Sequence, residues 1–238
     1  MTVRLGIPSK GRLQADTIAW FASRGIHLLP AVGGREYAGR VEGIDGVSLV
    51  LLSAGEIPRE LAAGRLELGV TGRDLIHEKM PGWTDQVREL AQPGFGYADL
   101  ILAVPRRWID VETVDDLDAV AAAFRATHGQ RLRIATKYHT LTRAFLTRHE
   151  VADYQLVDSQ GATEGTIRNG TAEAISDITT SGATLEANHL KVLRDGEILK
   201  SEAVVYAALR ASDDPAMAQA MSDLSERLKP AQVGDRGD

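Results

Sequence analysis

The sequence contains no cysteine, which excludes disulfides, thiolate metal sites, iron–sulfur clusters and a cysteine nucleophile. A reducing compartment is consistent with that. No apolar run approaches the roughly 18 residues of a membrane span. The N-terminal "MTVRLGIPSKGRL" also lacks the apolar core and small-residue cleavage site of a signal peptide. A cytoplasmic protein without a membrane partner is expected. Basic excess is missing too: the formal net charge is -6, so no nucleic-acid partner is expected. Any anionic ligand must be met by locally placed cations.

What is present is ordinary globular composition, 44% hydrophobic and 25% charged over 238 residues, enough for one large domain or two small ones. Short β-branched runs alternate with stretches of helical period: "RLGI" then "RLQADTIAWFASRG", "VSLVLL" then "GEIPRELAAG", "LELGVT" then "GRDLIHEK". That alternation predicts an α/β fold with largely parallel strands. Gly25 and Gly64 mark helix ends. A second series begins near Gly94, with Pro93, Gly94 and Gly96 as a hinge.

The expected organisation is a first lobe over 1–94 and a second over 95–185. Return strands over 186–211 rejoin the first lobe, and 212–238 forms a helix, capped by Asp214 and Pro215, with a frayed tail. Two such lobes predict a ligand cleft between them. Trp20 and Phe21 on the first helix read as core, and Asp115 or Asp116 as favouring a helix N-terminus.

The most distinctive stretch is "DITTSGATLEAN", from Asp177 to Asn188. It sits at a strand-to-helix turn, where unpaired N–H groups favour anions and Gly182 admits close backbone approach. Thr180, Ser181 and Thr184 add hydroxyls, and Ala183 lies among them. Asp177 would repel phosphate but suits vicinal sugar hydroxyls, so the pair suggests a ribose 5-phosphate. A plain hydroxyl helix cap explains this stretch equally well when it is taken alone. Three cationic turns favour a polyanion: Lys10 and Arg12 in "GIPSKGRL", Gly72 and Arg73 in "VTGRDL", and Lys137 in "IATKYHTLTR". The histidines form no HExxH or comparable helical pair, and no direct protein ligand for a metal is assigned. His77 and His189 stand out only because they flank these loops.

"IPSKGRL", "GVTGRDL", "GFGYADLILAVP", "RIATKYHTLTR" and "AEAISDITTSGATLEANHL", in this order, resemble the ATP phosphoribosyltransferase family. The resemblance extends to about Leu209. It implies two lobes around a central cleft, similar to type II periplasmic-binding-protein architecture. The implied reaction is attack of adenine N1 of ATP on C1′ of phosphoribosyl pyrophosphate, opening histidine biosynthesis, with Mg²⁺ carried on substrate phosphates. Carried over, Thr180, Ser181, Gly182, Ala183 and Thr184 hold the 5-phosphate, and Asp177 and Glu164 face the ribose. Lys10, Arg12, Gly72, Arg73 and Lys137 hold ATP or pyrophosphate, with Glu164 and Lys10 as catalytic groups.

Relatives often read Ser-Thr at Thr180-Ser181, which keeps both hydroxyls. Some also carry arginines where this chain has Leu51, Leu52 and Ser53, a contact for which Arg35, Arg40 or Arg59 is the expected substitute. Little chain follows the last predicted strand, which resembles the family's short form. That form implies a homodimer within a hetero-oligomer with a regulatory subunit similar to histidyl-tRNA synthetase. Two rivals remain. Another phosphoribosyltransferase would show two adjacent acids, where Ser176 precedes Asp177 here. A cytoplasmic small-anion or solute-binding protein could share the same fold.

Overall fold

The computed structural model describes residues 2–30, 38–159, 161–210 and 214–229. The chain divides into two compact units, Met1–Gly96 with Glu202–Asp238, and Tyr97–Ser201.

The first unit is built on β1 (Val3–Pro8), α1 (Gly11–Ala22), β2 (His27–Pro30), β3 (Ala38–Glu42), β4 (Val47–Leu52), α2 (Ile57–Ala62), β5 (Leu68–Gly72), α3 (Arg73–Lys79) and β6 (Val87–Ala91). The returning chain adds β12 (Ala203–Ala208) and α8 (Pro215–Arg227), and the sheet order is β2-β3-β4-β1-β5-β12-β6. β1 lies at the centre because Val3, Leu5 and Ile7 have no polar face to offer solvent; all three are fully buried. Helix α8 packs onto them through Met217, Ala220 and Leu224, a helical spacing that lays one apolar stripe on the core. It begins where the sequence indicates, with Asp214 accepting the Ala216 N–H at 2.9 Å and Pro215 in the first turn. Phe21 is fully buried, and Trp20 packs against the same core with the Arg24 guanidinium over its ring at 3.7 Å.

The second unit contains β7 (Ala98–Pro105), α4 (Val114–His128), β8 (Leu132–Thr136), α5 (His139–Arg148), β9 (Tyr154–Asp158), α6 (Gly165–Arg168), β10 (Ala174–Thr179), α7 (Ala183–Ala187) and β11 (Leu190–Ser201), with sheet order β11-β7-β10-β8-β9. Helix α4 starts with a capping box. Thr113 Oγ1 accepts the Asp116 N–H, and the Asp116 carboxylate accepts the Thr113 N–H at 2.8 Å.

The α/β class stands, but the sheets are mixed rather than largely parallel. β1 is parallel to β4 and β5, and β8 to β9 and β10. Strands β7, β11 and β12 run antiparallel to their neighbours, as do the short β2 and β3. A second correction concerns the return. Residues 190–201 form β11, paired with β7 in the second unit, so only β12 rejoins the first. Residues 211–213 and 230–238, at the edges of the expected tail, lie outside the described residues.

Partly buried ion pairs tie strands to their neighbours. Arg133 donates to both Glu173 carboxylate oxygens, and Arg73 donates to Glu89 and Glu202. Burial pushes the Glu89 and Glu173 carboxyls up, but hydrogen bonds and charge from the two arginines outweigh it and hold both below the ordinary range. A folded value below the unfolded one gives stability that is complete above the ordinary carboxylate range. It is lost as pH falls through the folded value. The melting temperature is therefore expected to drop on acidification from about pH 5. Glu173→Gln should start on the order of 1–3 kcal/mol less stable and lose less on acidification. Parallel melting curves for the two proteins across that pH range would count against this.

Candidate functional site

Register sets the site. Ser176 on β10 stands opposite Thr136 on β8, and Thr136 opposite Asp158 on β9, all in parallel pairing. Asp177, Lys137 and Ser159 therefore follow at the same level, at the carboxyl ends of three neighbouring strands, where open α/β sheets place their ligands.

From β10 the chain bends through Thr180, Ser181 and Gly182 into α7. Gly182 caps that helix with φ +73°, a left-handed conformation that glycine adopts without penalty. Its N–H donates to Thr179 Oγ1 at 2.9 Å, closing the loop, and the Ala183 N–H lies 3.4 Å from Ser181 Oγ. The first turn of any helix leaves its N–H groups without intrahelical acceptors; here these are the amides of Ala183, Thr184 and Leu185. Asp177, half-buried, accepts the Ile178 N–H at 2.8 Å. Glu164 caps the short α6 and is also half-buried.

These groups share a pocket of about 280 Å³ lined by Glu164, Asp177, Thr179 and the whole loop from Thr180 to Thr184. That is near the lower end of small-ligand sites, about 300–1,000 Å³. The pocket combines two carboxylates with hydroxyls and backbone amides of the loop, a set of groups suited to a polyhydroxylated ligand with one anionic end. Lys137, exposed at the neighbouring turn, donates to the carbonyl of Gly161, in the segment that leads to Glu164, at 2.5 Å. A larger cavity of about 610 Å³ in the same unit is walled by Arg107, Arg168 and His189 but contains neither carboxylate nor the loop.

In the first unit, Lys10 caps α1 with extended backbone and Arg12 follows in its first turn. Both are exposed, and neither side chain makes a hydrogen bond or ion pair among the described residues. Arg73 differs from the free cation expected at its turn. Its guanidinium lies 3.0 Å from Glu89 and 3.1 Å from Glu202, is only 20% exposed, and is driven further toward the charged form first by the Glu89 hydrogen bonds. Both carboxylates are far away in sequence, and they neutralise the charge that was expected to meet phosphate. Gly72 is the extended N-cap of α3 beside it. Of the substitutes for the missing arginines, Arg40 pairs with Glu42 and Arg59 with Glu60, both arginines exposed, and Arg35 lies outside the described residues. His77 stacks on Trp83 at 4.8 Å, and burial lowers its affinity for a proton. His189 takes a left-handed φ of 55°. Among the described residues no group of three or more His, Asp or Glu side chains is arranged to hold a metal ion.

Sequence reasoning missed Thr179, which locks the loop from below. It also missed a set of buried hydroxyls at Thr136, Thr142, Ser159, Thr163 and Ser176. Each is an unremarkable residue in sequence, and its partners lie in other elements.

Comparison with known proteins places these features in a family. The ATP phosphoribosyltransferase family model matches residues 53–230. An ATP phosphoribosyltransferase of Cereibacter sphaeroides is 65% identical over 211 residues, 89% of this chain and 89% of that one. One from Bradyrhizobium diazoefficiens is 50% identical, and there this chain spans 65% of the relative's length. Among solved structures, the ATP phosphoribosyl transferase (HisG:HisZ) complex from Thermotoga maritima superposes with a TM-score of 0.68 at 22% identity, covering 95% of this chain and 96% of that one. An ancestral amino-acid-binding protein, a precursor of cyclohexadienyl dehydratase, gives a TM-score of 0.51 at 14% identity, covering 96% and 89%. The fold is thus shared with periplasmic-binding-protein-like structures.

Proposed function

We infer the activity from the fact that this chain belongs to the ATP phosphoribosyltransferase family: it joins ATP to phosphoribosyl pyrophosphate, giving N1-(5-phosphoribosyl)-ATP and pyrophosphate, the first step of histidine biosynthesis. The observation that carries the reading is the pocket in which Asp177 and Glu164 meet the Thr180–Thr184 loop.

In this reading the loop's amides and hydroxyls bind the ribose 5-phosphate, and Asp177 accepts hydrogen bonds from the vicinal ribose hydroxyls. Adenine N1 is nucleophilic as it stands, so the protein's work is alignment of two polyanions and stabilisation of charge. The C1′–pyrophosphate bond breaks as the N1–C1′ bond forms, and the electron pair leaves with pyrophosphate. Positive charge grows on the ribose ring, and Glu164 is the carboxylate set to stabilise it. No covalent enzyme intermediate is required. Lys10, Arg12 and Lys137 are the cations for ATP or pyrophosphate. Arg73, already paired with two carboxylates, takes a lesser part.

Mg²⁺ belongs to the reading as a cation held chiefly by substrate phosphates. Two carboxylates in one pocket fit that role, since Mg²⁺ keeps water and phosphate ligands and takes one or two carboxylates at most. When bound, it neutralises charge on the departing pyrophosphate. The proposal also includes a cytoplasmic location, a homodimer and a regulatory partner subunit. In support, no helix among the described residues is long and apolar enough to cross a membrane, and the Thermotoga maritima structure is a HisG:HisZ complex.

The test is product formation from ATP, phosphoribosyl pyrophosphate and Mg²⁺ with pyrophosphatase present, for the chain alone and with a candidate regulatory subunit. Phosphoribosyl-ATP is expected, with histidine inhibiting only when the partner is present. Absence of product in both mixtures would contradict the reading.

A further inference from the structure

Five hydroxyl side chains lie buried beneath the second unit's site. Thr136, Thr142, Thr163 and Ser176 are fully buried, and Ser159 is nearly so. Three of them stand immediately before a residue assigned above to the site: Thr136 before Lys137, Thr163 before Glu164, and Ser176 before Asp177. They are also bonded to one another. Thr142, on α5, donates to Ser176 Oγ at 2.8 Å and lies 3.4 Å from Thr136 Oγ1, which in turn accepts the Tyr138 N–H at 2.9 Å. Each hydroxyl has one hydrogen to give. Because the Thr142 hydrogen goes to Ser176, the contact between Thr136 and Thr142 has Thr136 as donor. Ser159 and Thr163 form a second link at 2.9 Å, joined to the first through the Ser159 N–H and the Thr136 carbonyl at 3.2 Å.

Packing alone does not call for hydroxyls here. Valine has nearly the shape of threonine, and a buried hydroxyl must recover its lost hydration through bonds of correct geometry. What directional bonds add over packing is a fixed position for the atoms they join.

We propose that Thr142 is a positioning residue for the phosphoribosyl site: as hub of the buried hydroxyl chain, it fixes the ends of β8 and β10 from which Lys137 and Asp177 emerge. The hub reaches from α5 across 34 residues of sequence to Ser176. It therefore couples the helix behind the sheet to the strand that carries the loop. This rests on the functional reading above.

The experiment compares wild type, Thr142→Val and Thr142→Ser for calorimetric affinity toward phosphoribosyl pyrophosphate, for kcat and KM, and for thermal melting. Ser176→Ala serves as a second probe should the valine variant fold poorly. The valine variant is expected to bind about ten-fold more weakly, with KM raised more than kcat is lowered, because a small misplacement of binding groups is costly. The serine variant, keeping the hydroxyl, should stay within about two-fold of wild type, and Ser176→Ala should follow valine. Wild-type affinity in both Thr142→Val and Ser176→Ala would overturn the proposal. So would a serine variant worse than valine, which would assign Thr142's role to its methyl group. A wild-type chain that binds phosphoribosyl pyrophosphate but never yields phosphoribosyl-ATP would overturn the functional reading instead, and the affinities would still decide the role of Thr142.

Discussion

Replacing Gly182 by valine is expected to weaken phosphoribosyl pyrophosphate binding by about 30-fold or more, roughly 2 kcal/mol, in a chain that still folds. The cause is conformational. Gly182 holds φ at +73°, and a Cβ there would meet no protein atom within 4 Å, so the penalty is not a clash with the protein. A β-branched residue in that region costs on the order of 1–3 kcal/mol. Relief requires φ to turn negative, which draws the Gly182 N–H away from Thr179 Oγ1 and re-aims the amides at the start of α7. If the conformation survives, the valine methyls project into the space beside the phosphate amides instead.

Gly129 supplies the control. It ends α4 at φ +67° with equally open surroundings, and it lies outside the pocket. Gly129→Val should therefore lower the melting temperature comparably while leaving affinity unchanged. Equal affinity in the Gly182 variant and wild type would remove the loop from the binding site.

The second large effect concerns Glu164. Glu164→Gln keeps shape and hydrogen-bonding capacity but removes the charge. If that carboxylate acts on positive charge developing at C1′, kcat should fall about 100-fold with KM for either substrate changed by less than about three-fold. Interactions made only in the transition state lower kcat without altering ground-state binding. A variant with normal kcat and a raised KM would make Glu164 a binding residue for the ribose hydroxyls, like Asp177.

How much of this could be read from the sequence depended on whether the determinants were contiguous. The loop from Asp177 to Thr184 is one uninterrupted stretch, so its carboxylate, hydroxyls and glycine could be read together, and the structure gathers them along one pocket. The cap at Asp214 was visible for the same reason, since an N-cap acts on amides two or three residues away. At α4 the sequence marked only Asp115 or Asp116 as favouring the N-terminus; the cap itself is Thr113, with Asp116 as its reciprocal partner. The ion pairs of Arg73 could not be read from the sequence because its partners lie 16 and 129 residues away. Strand β11 was misread as returning to the first lobe because its own residues do not say which sheet it joins; its partner β7 lies about 90 residues earlier. In the fold the Asp195 carboxylate accepts the Val114 N–H, and the pairing with β7 continues beyond an irregularity. Gly196 packs so tightly that a Cβ would sit 2.9 Å from the Leu102 carbonyl oxygen, so this glycine marks a close approach rather than a turn. The mixed sheets were hidden for a related reason: a fully buried apolar strand reads alike in either direction.

The most direct test of the central claim is amide NMR of the ¹⁵N-labelled chain titrated with ribose 5-phosphate, with free ribose as reference. The account predicts that the Ser181, Gly182, Ala183 and Thr184 amide signals move with ribose 5-phosphate but not with ribose, and that Gly182→Val abolishes the response. Signals that stay fixed in this loop, while those around Lys10 and Arg12 move instead, would contradict the assignment of the 5-phosphate to the second unit.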